Sequence, residues 1–183
     1  MPALIEKEKL FTYKDYEKLP EGAPYQLIGG KLVLTPSPVP YHQKISLRIA
    51  FELFKYVKEH NLGEVLSAPI DLYLSETETY QPDIIFISGE NLSMVGEKRI
   101  EGPPDLVIEI LSPSTAYYDL KHKKNIYEQT GVKEYWIADP MEKSLEIYEN
   151  TDKGFVLFER KVEKGRVASK LLEGFFLYIE EVF

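Results

Sequence analysis

Residues Leu106-Val107-Ile108-Glu109-Ile110-Leu111 form an apolar run broken by one carboxylate. A short continuous apolar run of this kind reads as a buried strand, here over 105–111. Alternation puts Val107, Glu109 and Leu111 on one face, and Leu106, Ile108 and Ile110 on the other. Both faces are apolar, so Glu109 is expected to be desolvated. A buried carboxylate is tolerable only with a metal, a cation or a proton beside it. The bland alternative is a structural ion pair or an edge-strand position. Any fold for this chain has to accommodate that one charge.

A second strand repeats the theme. Gln81-Pro82-Asp83-Ile84-Ile85-Phe86-Ile87 opens with an acid and continues wholly apolar. A Pro-Asp pair alone is usually a turn. Asp83 gains meaning from its match with Glu109 on another buried strand. A lysine is the third element. On a helix over 115–131 with Ala116 at zero, Lys123 falls at about 340°, Tyr127 at about 20° and Asp119 at about 300°. Lys123 therefore lies in the apolar stripe, whereas Lys121 and His122 point outward. An inward lysine needs an anion, unless it snorkels to water.

Two hard carboxylates and a lysine suit Mg²⁺ or Mn²⁺, which keep water and a substrate phosphate in their remaining positions. Metal-assisted phosphodiester hydrolysis is the matching chemistry. Lysine would orient the attacking water or offset charge in the transition state. Burial would also lower its pKa and allow proton handling.

The rest of the chain frames this site. Its 183 residues suit one domain over 1–183. The absence of cysteine removes disulfides, thiolate zinc and a thiol nucleophile, and fits a cytoplasmic protein. Met1 to Leu10 shows no signal-peptide core, and no apolar run approaches a membrane span. Short helical residues are expected at 12–19. Gly29-Gly30 between Tyr25–Ile28 and Lys31–Leu34 marks a hairpin. Ile45, Ile49, Leu53 and Val57 give a helix over 41–61, with Gly63 as its stop signal. Strands are expected at 64–67, 69–74, 81–87 and 134–138, a connector at 88–104, and a hairpin over 144–160. A last strand and a short helix follow. The class is α/β, a mixed sheet flanked by helices with added β-hairpins.

The motif residues carry a resemblance. Gln81-Pro82-Asp83, Gly102 to Thr115, the spacing of Asp119, Lys123 and Tyr127, and Gly131 to Pro140 are together similar to a bacterial family classed as restriction endonucleases. That family belongs to the PD-(D/E)XK superfamily. Tyr25 to Val33 and His42-Gln43 also fit, so the resemblance spans nearly the whole chain. It implies a restriction-endonuclease-like fold and Mg²⁺-dependent hydrolysis of nucleic acid, DNA above all. It also implies Asp83 and Glu109 as metal ligands, with Lys123 replacing the lysine usual two residues after the Glu. That usual position is Leu111 here. Gln26 stands where similar sequences often carry Glu. Accessory roles fall to Gln26, His42, Asp119 and Tyr127.

Two alternatives remain. Leu111 and Gln26 would suit a degraded nuclease fold that binds nucleic acid or protein. A carboxylate-pair glycosidase would need no Lys123. Two-strand cleavage would favour a homodimer, although no interface signature is visible. The net charge of −8 would ordinarily argue against a phosphate partner. Residues 61–110, with ten acids and two bases, carry that whole excess and include Asp83 and Glu109. The long helix offers Lys44, Arg48, Lys55 and Lys58 to phosphates. Nucleic-acid binding is therefore expected to be weak without divalent metal.

Overall fold

A computed structural model describes residues 10–183, so all but Leu10 of the Met1–Leu10 expectation lies outside the described residues. Two sheets and one long helix build the frame. The larger sheet has six strands. It runs β11 (Gly154–Val162), β10 (Ser144–Thr151), β9 (Glu134–Asp139), β8 (Leu106–Ile110), β6 (Ile84–Ser88) and β3 (Gly63–Ser67). The smaller runs β2 (Lys31–Leu34), β1 (Tyr25–Ile28), β5 (Glu78–Tyr80), β4 (Leu72–Ser75) and β7 (Ile100–Glu101). A two-stranded ribbon, β12 (Arg166–Ala168) with β13 (Phe176–Tyr178), completes the strands. The larger sheet is mixed, because β8 and β9 run parallel while β6 runs antiparallel to β8.

Helix α1 (Tyr13–Tyr16) is a single turn, and Asp15 accepts the Thr12 backbone N–H at 3.1 Å. Helix α2 (Pro40–Glu59) buries His42, Ile45, Ile49, Leu53 and Val57 along one stripe. These apolar side chains pack on Ile84, Phe86, Leu106, Ile108, Ile110 and Trp136. Burying each contributes roughly 1.5–3 kcal/mol. The other face of the sheet carries Ile85, Ile87, Val107, Tyr135 and Ile137. They meet Ile28, Leu72, Tyr80 and Ile100 of the smaller sheet, and Tyr127 of α3 (Lys124–Thr130). The central sheet is thus covered on both sides, which explains why β8 is apolar on both faces. Helix α4 (Ile179–Val182) closes the chain on the α2 side.

Some elements differ from the sequence expectation. The strand expected at 81–87 begins only at Ile84, and Gln81-Pro82-Asp83 crosses to it from the unexpected β5 in the other sheet. Pro82 has no N–H to extend a ladder, so the strand starts after it. The expected strand at 69–74 shortens to Leu72–Ser75. The connector 88–104 holds a 3-10 turn, Gly89–Met94, and the two-residue β7. Gly63 does not cap α2. It starts β3 with φ +148°, where a Cβ would lie 2.0 Å from the Ile87 carbonyl oxygen. Phe54 stands on the outer side of α2, half exposed with Leu47 and Phe51.

The helix after β8 departs most. It contains a π-turn, Tyr118–Lys123, before α3, and Gly131 ends it at φ +99°. A π-turn takes more residues per turn than an α-helix. Residues four apart therefore stack almost directly above one another, rather than the ~40° apart of an α-helix.

Candidate active site

Strand β8 presents Glu109 on the face opposite Ile108 and Ile110, as alternation requires, with Leu111 packed partly buried on the Glu109 side. The Glu109 residue is 3% exposed. Its Oε1 accepts hydrogen bonds from Lys123 Nζ at 3.2 Å and from the Tyr127 hydroxyl at 2.8 Å. Lys123 Nζ also lies 2.8 Å from Asp119 Oδ1. Asp119 is held in turn by Thr115, whose hydroxyl donates to Oδ2 at 3.1 Å. The π-turn aligns Asp119 with Lys123, and Tyr127 follows four residues later. The spacing of four seen in the sequence thus becomes one column of side chains facing Glu109.

Lys123 does not snorkel, since it is 2% exposed. Burial alone would lower its pKa, but Glu109 and Asp119 outweigh burial and hold it above the ordinary lysine value. The Lys123 ammonium is thus held between two carboxylates. Burial pushes the Glu109 carboxyl up, only partly offset by Lys123, while Asp119 and Asp83 push it further in the same direction. Burial likewise raises the Tyr127 hydroxyl well above its usual range, so it acts as a donor.

Asp83 sits just before β6, more open to solvent than Glu109. Its Oδ2 accepts the Ile110 backbone N–H at 2.7 Å. His42, in the first turn of α2, places Nε2 3.0 Å from the Ile110 carbonyl oxygen and 3.4 Å from Asp83 Oδ2. Burial would lower the His42 pKa, but Asp83 and the Ile110 carbonyl prevail and raise it. Gln26 is buried on β1, where its Oε1 accepts the Gln81 N–H at 3.0 Å. It thus holds the segment that leads into Asp83. Asp83, Glu109, Lys123, Asp119, Tyr127 and His42 all gather at one end of β6 and β8. Gln26 supports that end through Gln81.

A neighbouring cluster carried no signal in the sequence. Glu78 on β5 is buried, and it accepts the Gly29 N–H at 2.9 Å and the Tyr80 hydroxyl. His122 Nε2 lies 3.0 Å from Glu78 Oε1, so the outward placement expected for His122 is corrected. The π-turn changes the phase of the helix, and the β4–β5 hairpin folds over it. Tyr80 joins the two clusters. Its ring lies 5.7 Å from Lys123 Nζ and meets Tyr127 edge-on at 5.6 Å between centroids. Glu78 to Tyr80 is a polar stretch, and only the tertiary fold reveals that it is buried.

The donor set can be tested against a metal. Among the described residues, no group of three or more His, Cys, Asp or Glu side chains is placed to hold one. Asp83 Oδ1 and Glu109 Oε2, by contrast, make no hydrogen bond or ion pair among the described residues, and both carboxylates face the same end of the sheet. Two hard oxygens without protein partners fit an ion that keeps several waters, as Mg²⁺ does. The Asp83 side is where solvent reaches. No helix among the described residues is long and apolar enough to cross a membrane.

A family model, Uma2, described as "Putative restriction endonuclease", matches residues 13–180. A crystal structure described as a putative nuclease belonging to DUF820, from Anabaena variabilis ATCC 29413, aligns with a TM-score of 0.77. The alignment covers 94% of this chain and 97% of that one at 21% identity, and it shows a shared fold. No curated protein matches.

Proposed function

The chain belongs to the Uma2 restriction endonuclease family, and on that premise we propose that it hydrolyses phosphodiester bonds of nucleic acid, DNA foremost, with Mg²⁺ or Mn²⁺. One observation carries the reading. Glu109 pairs with the buried Lys123, Asp83 lies at the same end of β6 and β8, and each carboxylate keeps one oxygen without a partner among the described residues. Asp83 and Glu109 would hold the ion. When bound, the ion supplies Lewis-acid polarisation of the phosphoryl group and activation of the attacking water.

The chain's own residues do the rest. Tyr127 and Lys123 fix Glu109 Oε1 and so direct Oε2. Lys123 Nζ lies 3.2 Å from Glu109 and 2.8 Å from Asp119, and both carboxylates favour its protonated form. Its ammonium offsets charge that builds on the phosphoryl oxygens, in a site where low dielectric strengthens that attraction. Asp119 and Thr115 stop the ammonium from drifting. The reading treats 1–183 as one restriction-endonuclease-like domain in the cytoplasm, and permits a homodimer for two-strand cleavage.

Incubation of the purified chain with varied DNA and RNA, in Mg²⁺, Mn²⁺ or chelator, tests it alongside Asp83→Ala, Glu109→Ala and Lys123→Ala. Divalent-dependent cleavage lost in all three supports the reading. No cleavage, together with metal binding indifferent to Asp83→Ala, defeats it. Nucleic-acid binding that persists without cleavage would favour a binding module, the role that Leu111 and the neutral amide of Gln26 would suit.

A further inference from the structure

The last backbone groups of β8 are not satisfied by a strand. The register Ile84↔Ile108 of β6 and β8, carried on two residues, brings Pro82 opposite Ile110. Pro82 has no N–H to give the Ile110 carbonyl. Two side chains finish the ladder instead. Asp83 Oδ2 accepts the Ile110 N–H at 2.7 Å, and His42 Nε2 reaches the Ile110 carbonyl oxygen at 3.0 Å. The same Nε2 is 3.4 Å from Asp83 Oδ2. Both neighbours of Nε2 are acceptors, so the ring proton sits there. His42 Nδ1 is buried with no hydrogen-bond partner. The ring is therefore committed through one nitrogen alone, to the atoms that fix Asp83.

We propose that His42 is the positioning residue of Asp83: its Nε2–H anchors the end of β8 to α2, holds Asp83 Oδ2 inward, and thereby presents Oδ1 to a divalent cation. The inference rests on the two-carboxylate metal reading and adds a determinant of affinity from the opposite side of the sheet. Groups that orient a ligand typically change metal affinity by about 10–100-fold when removed. The core packing of α2 comes from Ile45, Ile49, Leu53 and Val57, so a ring-sized apolar replacement at 42 keeps the helix in place.

Calorimetric Mn²⁺ titration of His42→Leu and His42→Gln, with Asp83→Asn and Glu109→Gln as references, is the test. Leucine fills the space without a donor, and glutamine restores an N–H at similar reach. His42→Leu is expected to weaken Mn²⁺ binding about 10–100-fold, and His42→Gln to recover most of it. Hydrogen exchange at the Ile110 amide should accelerate in His42→Leu and return toward the wild-type rate in His42→Gln. The inference is overturned if His42→Leu binds Mn²⁺ as tightly as wild type, or if glutamine is as impaired as leucine. Should the wild-type chain bind no Mn²⁺, or Asp83→Asn and Glu109→Gln leave binding unchanged, the metal reading itself falls and the inference with it. Loss in both reference variants with none in His42→Leu removes only the role of His42.

Discussion

Strands β8 and β9 run parallel, and their two ends treat buried acids in opposite ways. At the entry end lie Asp105 and Glu134. Asp105 accepts the Ser88 N–H at 2.7 Å and the Asn91 amide at 3.0 Å, and lies 2.6 Å from Lys133 Nζ. Glu134 accepts the Trp136 indole N–H at 2.6 Å, the Ser169 hydroxyl at 2.7 Å, and the N–H groups of Lys170 and Leu171 at 2.9 Å. Every oxygen there is occupied. At the exit end Glu109 crowds its donors onto Oε1, and Asp83 onto Oδ2. Burial raises the carboxyl in both Asp105 and Glu109. It is overcome at Asp105 by Lys133, Ser88 and Asn91, and prevails at Glu109. Equal burial thus serves two ends. A saturated carboxylate ties segments together, whereas one with an oxygen to spare is equipped for a ligand. Ligand sites in open α/β sheets also lie beyond the carboxyl ends of parallel strands.

Breaking the saturated end should cost most. Glu134→Ala orphans four donors, two of them buried, and should destabilise the chain by roughly 3–5 kcal/mol in urea unfolding. Glu109→Gln should cost no stability at neutral pH and can gain some, because it removes the desolvation cost of a buried carboxyl. Equal losses in the two variants would erase the contrast.

The pH dependence sharpens it further. Asp105 has a lowered carboxyl, so its contribution is present above the ordinary value of 3.8 and disappears as pH falls through the folded one. Asp105→Asn should therefore cost roughly 1–3 kcal/mol at neutral pH and almost nothing in strong acid. Glu109 has the opposite sign. Its contribution is present below the ordinary value of 4.5 and is lost as pH rises toward about 8. In chelator, Glu109→Gln should gain on wild type between pH 5 and pH 9 (on the order of that span). Unfolding curves across pH for both pairs would show slopes of opposite direction.

The smallest effect concerns the neighbouring cluster. His122→Ala removes a partly exposed partner of Glu78 and should cost about 1 kcal/mol or less. A loss several times larger would mean that the π-turn depends on this contact, and that the two clusters form one unit.

Much of this was legible in advance. Period-two alternation put Glu109 on a buried face because strand geometry leaves no other choice. The helical stripe placed Lys123, Asp119 and Tyr127 on one side, because four residues make close to one turn of either helix type. The Gly29-Gly30 hairpin formed as expected, with both glycines at positive φ. Asp105 and Glu134 gave no sign of their roles. Their donors come from Ser88, Asn91, Ser169, Lys170 and Leu171, and one-dimensional patterning carries no information about such distant partners.

The sequence by itself determined which side chains could share a face, and with that the pairing of an acid with an inward lysine. Local backbone periodicity is sufficient for this. Tertiary structure decided which oxygens are saturated and which are spare. It decided that Lys123 sits between Glu109 and Asp119, that His122 turns inward to Glu78, and that His42 reaches across to Ile110. These depend on the π-turn, on the sheet change at Pro82, and on the seating of α2 against β8. The physical reason is common to all three. Charge and hydrogen-bond satisfaction depend on distances between residues far apart in the chain, and only packing fixes those distances.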